Sequence, residues 1–148
     1  MATPTHGQLL SVGYERRTIE ELVAVLQAAS VEVLVDVRLN AISRKRGFSK
    51  TALATALDEA GIEYRHERAL GNPKDNRDAF RQGHREARRR YERHLSNGAS
   101  PSKDEIVELA RTRRVALFCY ERDHTECHRS CITASALRDA PELQLVEL

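Results

Sequence analysis

The sequence predicts a single α/β domain: a mostly parallel sheet of about five strands with helices on both faces. Short apolar runs such as Val31–Val37 and Val115–Cys119 alternate with segments of helical period. The connections between them are short, which favours strands joined by helical crossovers. The chain has 148 residues, enough for one core that buries roughly two-thirds of the surface its unfolded form exposes. One domain over residues 1–148 is expected, with residues 1–7 as a flexible tail.

Leu9 to Val12 reads as a strand that stops at Gly13. Thr18 is placed to cap a helix, Glu21 completes a capping box, and Ile19, Leu22, Val23 and Leu26 form the apolar stripe. Val31–Val37 is the second strand and runs into Arg38 and a polar loop through Gly47. Ser49 caps the next helix, Leu53, Ala56, Leu57 and Ala60 face inward, and Gly61 ends it. Ile62–His66 is a shorter third strand. Gly71, Asn72 and Pro73 then turn the chain away from the sheet.

The recurrence of Phe80, His84, Ala87, Tyr91 and Leu95 predicts one long helix, with Arg77, Arg81, Arg85 and Arg89 on an adjoining face. Ser96–Ser102 is a loop and Lys103–Thr112 a short helix. Val115–Cys119 is a buried strand, Cys127–Leu137 a helix, and Leu143–Val146 the closing strand. No internal repeat or low-complexity segment interrupts this order.

Composition narrows the function classes. Met1 to Gln8 has neither the basic start nor the apolar core of a secretory signal, and no apolar run approaches ~18 residues, so a cytoplasmic, non-membrane protein is expected. Three cysteines, an odd number, argue for reduced thiols over a disulfide framework. The net charge of +2 demands no polyanionic partner. The segment Arg77–Arg93 is different: seven arginines face Asp78, Glu86 and Glu92. That excess suits a phosphate backbone, and equally a solvated helix face.

In open parallel sheets, ligands bind beyond the carboxyl ends of the strands. Gly13 with Tyr14, Asp36 with Arg38, His66, and Cys119 with Glu121 all fall there. Cys127, His128 and Arg129 occupy the expected first turn of the last long helix, where free N–H groups favour an anion. Arg129 and Arg38 are the candidate anion-holding side chains, and Gly13, Tyr14, Cys119 and His66 the other candidate ligand contacts. Pairing of Arg129 with Glu121, Asp123 or Asp36 as a structural bridge is the alternative.

Cys127 is the candidate nucleophile, because a helix N-terminus, a histidine and an arginine each enrich a thiolate. His128 is the candidate acid or base, with Asp36 and Glu121 orienting the pair. Cys119 and Cys131 read as packed small hydrophobes. Cys119, Cys127, Cys131, His124 and His128 are also possible metal ligands, but their spacing matches no paired C-x-x-C pattern, so no metal is assigned. No Gly-rich phosphate loop, Gly-x-Ser-x-Gly elbow or His-Glu-x-x-His helix is present, and the sequence leaves the cofactor unknown.

Several motifs together resemble the bacterial and archaeal domain of unknown function 488 family. They are Ser11-Val12-Gly13-Tyr14, Glu20-Glu21-Leu22, Val35-Asp36-Val37-Arg38, Ser43-Arg44, Gly47-Phe48-Ser49-Lys50, Gly61-Ile62-Glu63-Tyr64 with His66, and Leu70-Gly71-Asn72. The most specific are Leu117-Phe118-Cys119-Tyr120-Glu121 and Cys127-His128-Arg129-Ser130. The family commonly shows Gly-His-Ser where this chain has Gly13-Tyr14-Glu15. The resemblance implies a compact cytoplasmic α/β domain, a rim defined by Asp36, Arg38, Cys119, Glu121, Cys127, His128 and Arg129, and no established reaction.

The function expected on these grounds is binding of a phosphate-bearing or nucleotide-like anionic ligand at the carboxyl edge of the sheet, with Cys/His chemistry there. Whether turnover occurs is left open. The alternatives are a nucleic-acid-binding accessory domain using the Arg77–Arg93 stripe, and a thiol redox or metal-binding protein.

Overall fold

Five strands, β1 (Gln8–Gly13), β2 (Val33–Asp36), β3 (Glu63–His66), β4 (Val115–Cys119) and β5 (Gln144–Glu147), form one sheet in the order β3-β2-β4-β1-β5 in a computed structural model that describes residues 7–148. Every pairing is parallel. Most of the expected tail, residues 1–6, lies outside the described residues. Gly7 is anchored, donating its N–H to the Ala110 carbonyl at 3.2 Å and accepting from the Gln144 N–H at 2.9 Å.

The strand sequences explain the order. Every residue of β2 and β4 is buried, as strands covered on both faces require. The edge strands are less buried: β3 alternates exposed and half-buried positions, and β5 exposes Gln144 and Glu147 on either side of the half-buried Leu145 and Val146.

Helices α1 (Ile19–Ala28) and α2 (Lys50–Glu59) cover one face, where Leu22, Leu26, Leu53 and Leu57 pack on Leu10, Leu34 and Phe118. The other face holds α3 (Lys74–Arg81), α4 (Arg85–Ser96), α5 (Ser100–Thr112) and α6 (Arg129–Asp139), with Phe80, Tyr91, Ile106 and Ile132 packed on Leu9, Val35 and Leu117. The protein is therefore a single-domain α/β fold with the predicted layers.

This distribution fixes where a crevice must open. From β2 the chain leaves over the first face toward β3, whereas from β4 it leaves over the second face toward β5. Right-handed crossovers require that opposition. Because β2 and β4 are neighbours, their carboxyl ends diverge and leave a gap between them, the usual ligand position in such sheets.

Local signals held at several points. The Thr18 capping box is formed, with Glu21 N–H donating to Thr18 Oγ1 at 3.1 Å and Thr18 N–H to Glu21 Oε1 at 2.9 Å. Ser49 stands at its cap position, but its hydroxyl instead bonds the Ser43 backbone, accepting from N–H and donating to C=O. Helix α5 begins at Ser100, inside the expected loop, with Pro101 in its first turn, where no N–H is needed. Helix α6 begins at Arg129, later than Cys127, because His124–Glu126 forms a separate 3-10 turn capped by Asp123.

The long helix expected after Pro73 is two helices. Gly83, at φ 82°, follows the end of α3, and His84 stands at the N-cap position of α4 without a side-chain capping bond. His84 is therefore exposed, whereas Phe80, Ala87, Tyr91 and Leu95 are buried as expected. A Cβ at Gly83 meets no atom within 4 Å, so Gly83→Ala isolates the backbone effect. In one continuous helix it would stabilise by about 1 kcal/mol. At a left-handed position it costs ~1–2 kcal/mol, and a lowered urea midpoint is the expected result.

Candidate functional site

A cleft of about 210 Å³ occupies the gap between β2 and β4. Arg38, Leu39 and Asn40, directly after β2, form one wall, and Cys119, Tyr120 and Glu121, at the end of β4, form the other. Helix α3 contributes Arg77, Phe80 and Arg81, and His128 enters from the start of α6. Tyr14, past β1, also lines it, stacked on Phe48 and Phe118 with ring centroids 4.4 and 5.1 Å away.

Asp36 and Arg38 form an ion pair buried to 0 % and 6 % exposure. Arg38 Nε donates to Asp36 Oδ1 at 2.9 Å and Nη2 to Oδ2 at 2.7 Å, while Nη1 reaches the Phe48 carbonyl at 2.7 Å. The Tyr64 hydroxyl adds a donor to Asp36 Oδ2 at 2.6 Å. Burial disfavours the guanidinium charge, but Asp36 outweighs it and leaves the Arg38 pKa above its ordinary value. Burial and the same carboxylate push the Tyr64 hydroxyl upward. Both oxygens of Asp36 are thus committed to holding Arg38 and Tyr64, and not to orienting Cys127. His66 Nε2 bonds the Arg38 carbonyl at 2.8 Å and supports the wall from outside the cleft.

Arg129 does not line the cleft. Its side chain is 1 % exposed, and its Nη1 and Nη2 donate to the carbonyls of Val12 and Glu121. The expected anion holder is a clamp between the carboxyl ends of β1 and β4, and its expected carboxylate partners are replaced by peptide oxygens. Gly13 belongs to this junction. A Cβ there would meet the Glu121 carbonyl oxygen at 2.0 Å, so only glycine allows the two strand ends to approach.

The expected thiol and imidazole do converge. The ligand atoms of Cys119, Cys127 and His128 lie within 4.8 Å of one another, and all three residues are buried. His128 Nε2 contacts the Val37 carbonyl at 2.9 Å, and a carbonyl can only accept, so Nε2 carries a proton. In the neutral ring Nδ1 is therefore the acceptor, and it faces Cys127 Sγ at 3.7 Å. Tyr91 packs edge-on against this ring at 5.0 Å.

Hydrogen bonding with Cys127 and burial hold the Cys119 thiol well above its ordinary pKa, and burial pushes Cys131 up to about 11. Cys127 is 1 % exposed and is not itself a lining residue, whereas Cys119 and His128 are.

Burial raises Glu121, but its own backbone N–H, Arg81, the Cys127 thiol and His128 together bring its pKa below the ordinary value. Arg81 Nη2 donates to Glu121 Oε1 at 3.0 Å, while Oε2 is buried without a hydrogen-bond partner among the described residues.

Two further groups have roles the sequence did not indicate, His124 having stood there only among possible metal ligands. Arg77 and Arg81, read there as part of a helix stripe, line the cleft. Arg77 Nε donates to the Asn72 carbonyl at 3.0 Å. His124 is buried, with Nδ1 2.8 Å from Ser11 Oγ and Nε2 3.2 Å from Thr133 Oγ1. Thr133 donates its proton to the Ser130 carbonyl at 3.2 Å, so it accepts from Nε2 and leaves Nδ1 to accept from Ser11. This neutral network braces β1 against α6. The placement of Ser11 on a strand face hinted at it, but its partner lies 113 positions away.

The fold and cleft define a parallel α/β protein with a thiol and imidazole cluster at a switch-point pocket. A family model described as "Domain of unknown function DUF488" matches residues 18–136, and the chain belongs to that family. No curated protein and no solved structure matches it significantly.

Burial lowers the pKa of His124 below its ordinary value of 6.5. The unfolded state then binds the extra proton first, so His124 contributes stability that is present above pH 6.5 and lost as pH falls through the folded value. Urea titrations from pH 7.5 downward should show unfolding free energy declining below about pH 6.5. His124→Gln should flatten that limb, and an unchanged slope in the variant would refute the assignment.

Proposed function

We propose that the protein binds a small anionic ligand, phosphate- or carboxylate-bearing, in the switch-point cleft, with the thiol and imidazole cluster beside it. One observation carries the reading: Arg77 lines the cleft with only its Nε engaged, leaving both terminal nitrogens without a partner among the described residues. Arg81 also lines the cleft, with Nη2 on Glu121 at 3.0 Å and Nη1 3.5 Å from the exposed Asp78 carboxylate. Arg38 supplies charge and a rigid wall, but its donors are committed to Asp36 and Phe48. The anion site therefore centres on Arg77 and Arg81, with Asn72 beside them, and Arg129 serves the scaffold.

The same geometry weakens the nucleic-acid alternative. The arginine row is interrupted at Gly83, Arg81 is paired to Glu121 and Arg90 to Asp75, and Arg88 donates to Ser130. The three free cysteines fit a reducing compartment such as the cytoplasm. Among the described residues, no helix is long and apolar enough to cross a membrane.

The thermal midpoint measured with inorganic phosphate, pyrophosphate, nucleoside phosphates and dicarboxylates tests the reading, because a ligand of the folded state stabilises it by mass action. At least one of these should raise the midpoint. Arg77→Ala should weaken that ligand by ~1.5–3 kcal/mol, roughly tenfold or more. Arg129→Ala should instead lower stability by ~3 kcal/mol through two orphaned carbonyls. No response to any anion, or an affinity that depends on Arg85 and Arg89 and falls steeply with salt, would overturn the proposal.

A further inference from the structure

We propose that Cys119, Cys127 and His128 bind a divalent cation of the zinc class, with one coordination position open to the cleft. Two thiolates and an imidazole are donors that such an ion prefers. In a tetrahedral site with metal–sulfur bonds of ~2.3 Å and metal–nitrogen bonds of ~2.05 Å, neighbouring donors stand roughly 3.6–3.8 Å apart. Cys127 Sγ and His128 Nδ1 are already 3.7 Å apart, and the three donor atoms lie within 4.8 Å of one another. Closing onto an ion requires side-chain shifts of about 1 Å, within the reach of small χ1 rotations.

Three features on the surrounding residues fit the same assignment. His128 donates Nε2–H to the Val37 carbonyl, which fixes the ring with Nδ1 directed at Cys127; metal-bound histidines are held in this way by an outer partner. Cys119 and His128 line the cleft while Cys127 lies behind them, so the cluster is reached from one side. Glu121 lines the same cleft, and its buried Oε2, without a hydrogen-bond partner among the described residues, is an acceptor for a water on the fourth position.

Binding releases the two thiol protons to solvent. The two thiolates then balance the charge of the ion, so the filled site adds no net charge to a buried region. The sequence offers these residues among possible ligands without singling them out, because they combine the end of β4 with the start of α6 at a spacing unlike paired C-x-x-C. The inference uses residues other than Arg77 and Arg81 and stands apart from the anion reading.

The test is metal content and the cobalt(II) spectrum of the full, untagged chain, reduced and then exposed to zinc(II) or cobalt(II). Expected are one equivalent of metal retained through gel filtration, a thiolate-to-cobalt charge-transfer band, and visible bands of four-coordinate cobalt. Cys127→Ser and Cys119→Ser should lose the bound equivalent. His128→Gln should weaken binding by more than the roughly 10–100-fold typical of an outer-shell change. Cys131→Ser should retain the metal.

If a variant fails to fold, the charge-transfer intensity of the unmodified protein, which reports two thiolates, decides the matter. No retained metal, a spectrum without thiolate bands, or retention unchanged in Cys127→Ser would overturn the proposal. So would a Cys119–Cys127 disulfide whose reduced form binds no zinc. Midpoint shifts with phosphate are read separately, so failure of the anion proposal is distinguishable from failure of this one.

Discussion

The buried guanidinium of Arg129 is the interaction on which the site depends. A charge taken out of water needs hydrogen-bond partners, and of the three Arg129 nitrogens Nε alone has none among the described residues. Here two of its nitrogens take the carbonyl of Val12 at the end of β1 and that of Glu121 beyond β4. One side chain from the first turn of α6 thereby joins three elements at the carboxyl edge. Gly13 completes the joint, because any Cβ would collide with the Glu121 carbonyl that Arg129 holds. Glu121 and His128, which line the cleft, flank this clamp in sequence, and Cys127 lies behind them.

A second buried charge organises the opposite wall. Asp36 ends β2 and fixes Arg38, which in turn reaches the Phe48 carbonyl on the loop before α2. Gly71 packs that wall closely, since a Cβ there would lie 2.3 Å from the Leu39 Cα. Sheet topology opens the gap between β2 and β4, and the two arginine clamps hold its walls apart. What remains in the gap is chemically mixed: unspent guanidinium donors on α3, and a cluster of soft donors at the end of β4 and the start of α6.

Much of this was legible in the sequence because parallel α/β order is a strong constraint. Apolar runs fully buried in β2 and β4, the Thr18 capping box and the alternation of elements all registered as local patterns. Since parallel strands end on one edge, Tyr14, Arg38, Cys119 and Glu121 were expected to converge, and they do. The break at Gly83 escaped notice because Phe80, Ala87, Tyr91 and Leu95 keep a helical spacing across it and bury on one side.

The role of Arg129 escaped for another reason: its partners are peptide carbonyls, which carry no residue signature. The pairing of Arg81 with Glu121 spans 40 positions and moved a residue from a presumed surface stripe into the site. Cys119, Cys127 and His128 stood among the possible metal ligands, but their spacing could not single them out, because the proximity of Cys119 to Cys127 is created by the turn at His124–Glu126.

The central claim is that ligands enter between the carboxyl ends of β2 and β4. Amide chemical shifts of the isotopically labelled protein, followed while pyrophosphate and then zinc(II) are added, test it most directly. Perturbations confined to residues 38–42, 72–81 and 119–128 are the expected result. Perturbations spread along residues 85–93, or gathered on the outer faces of α1 and α2, would contradict it.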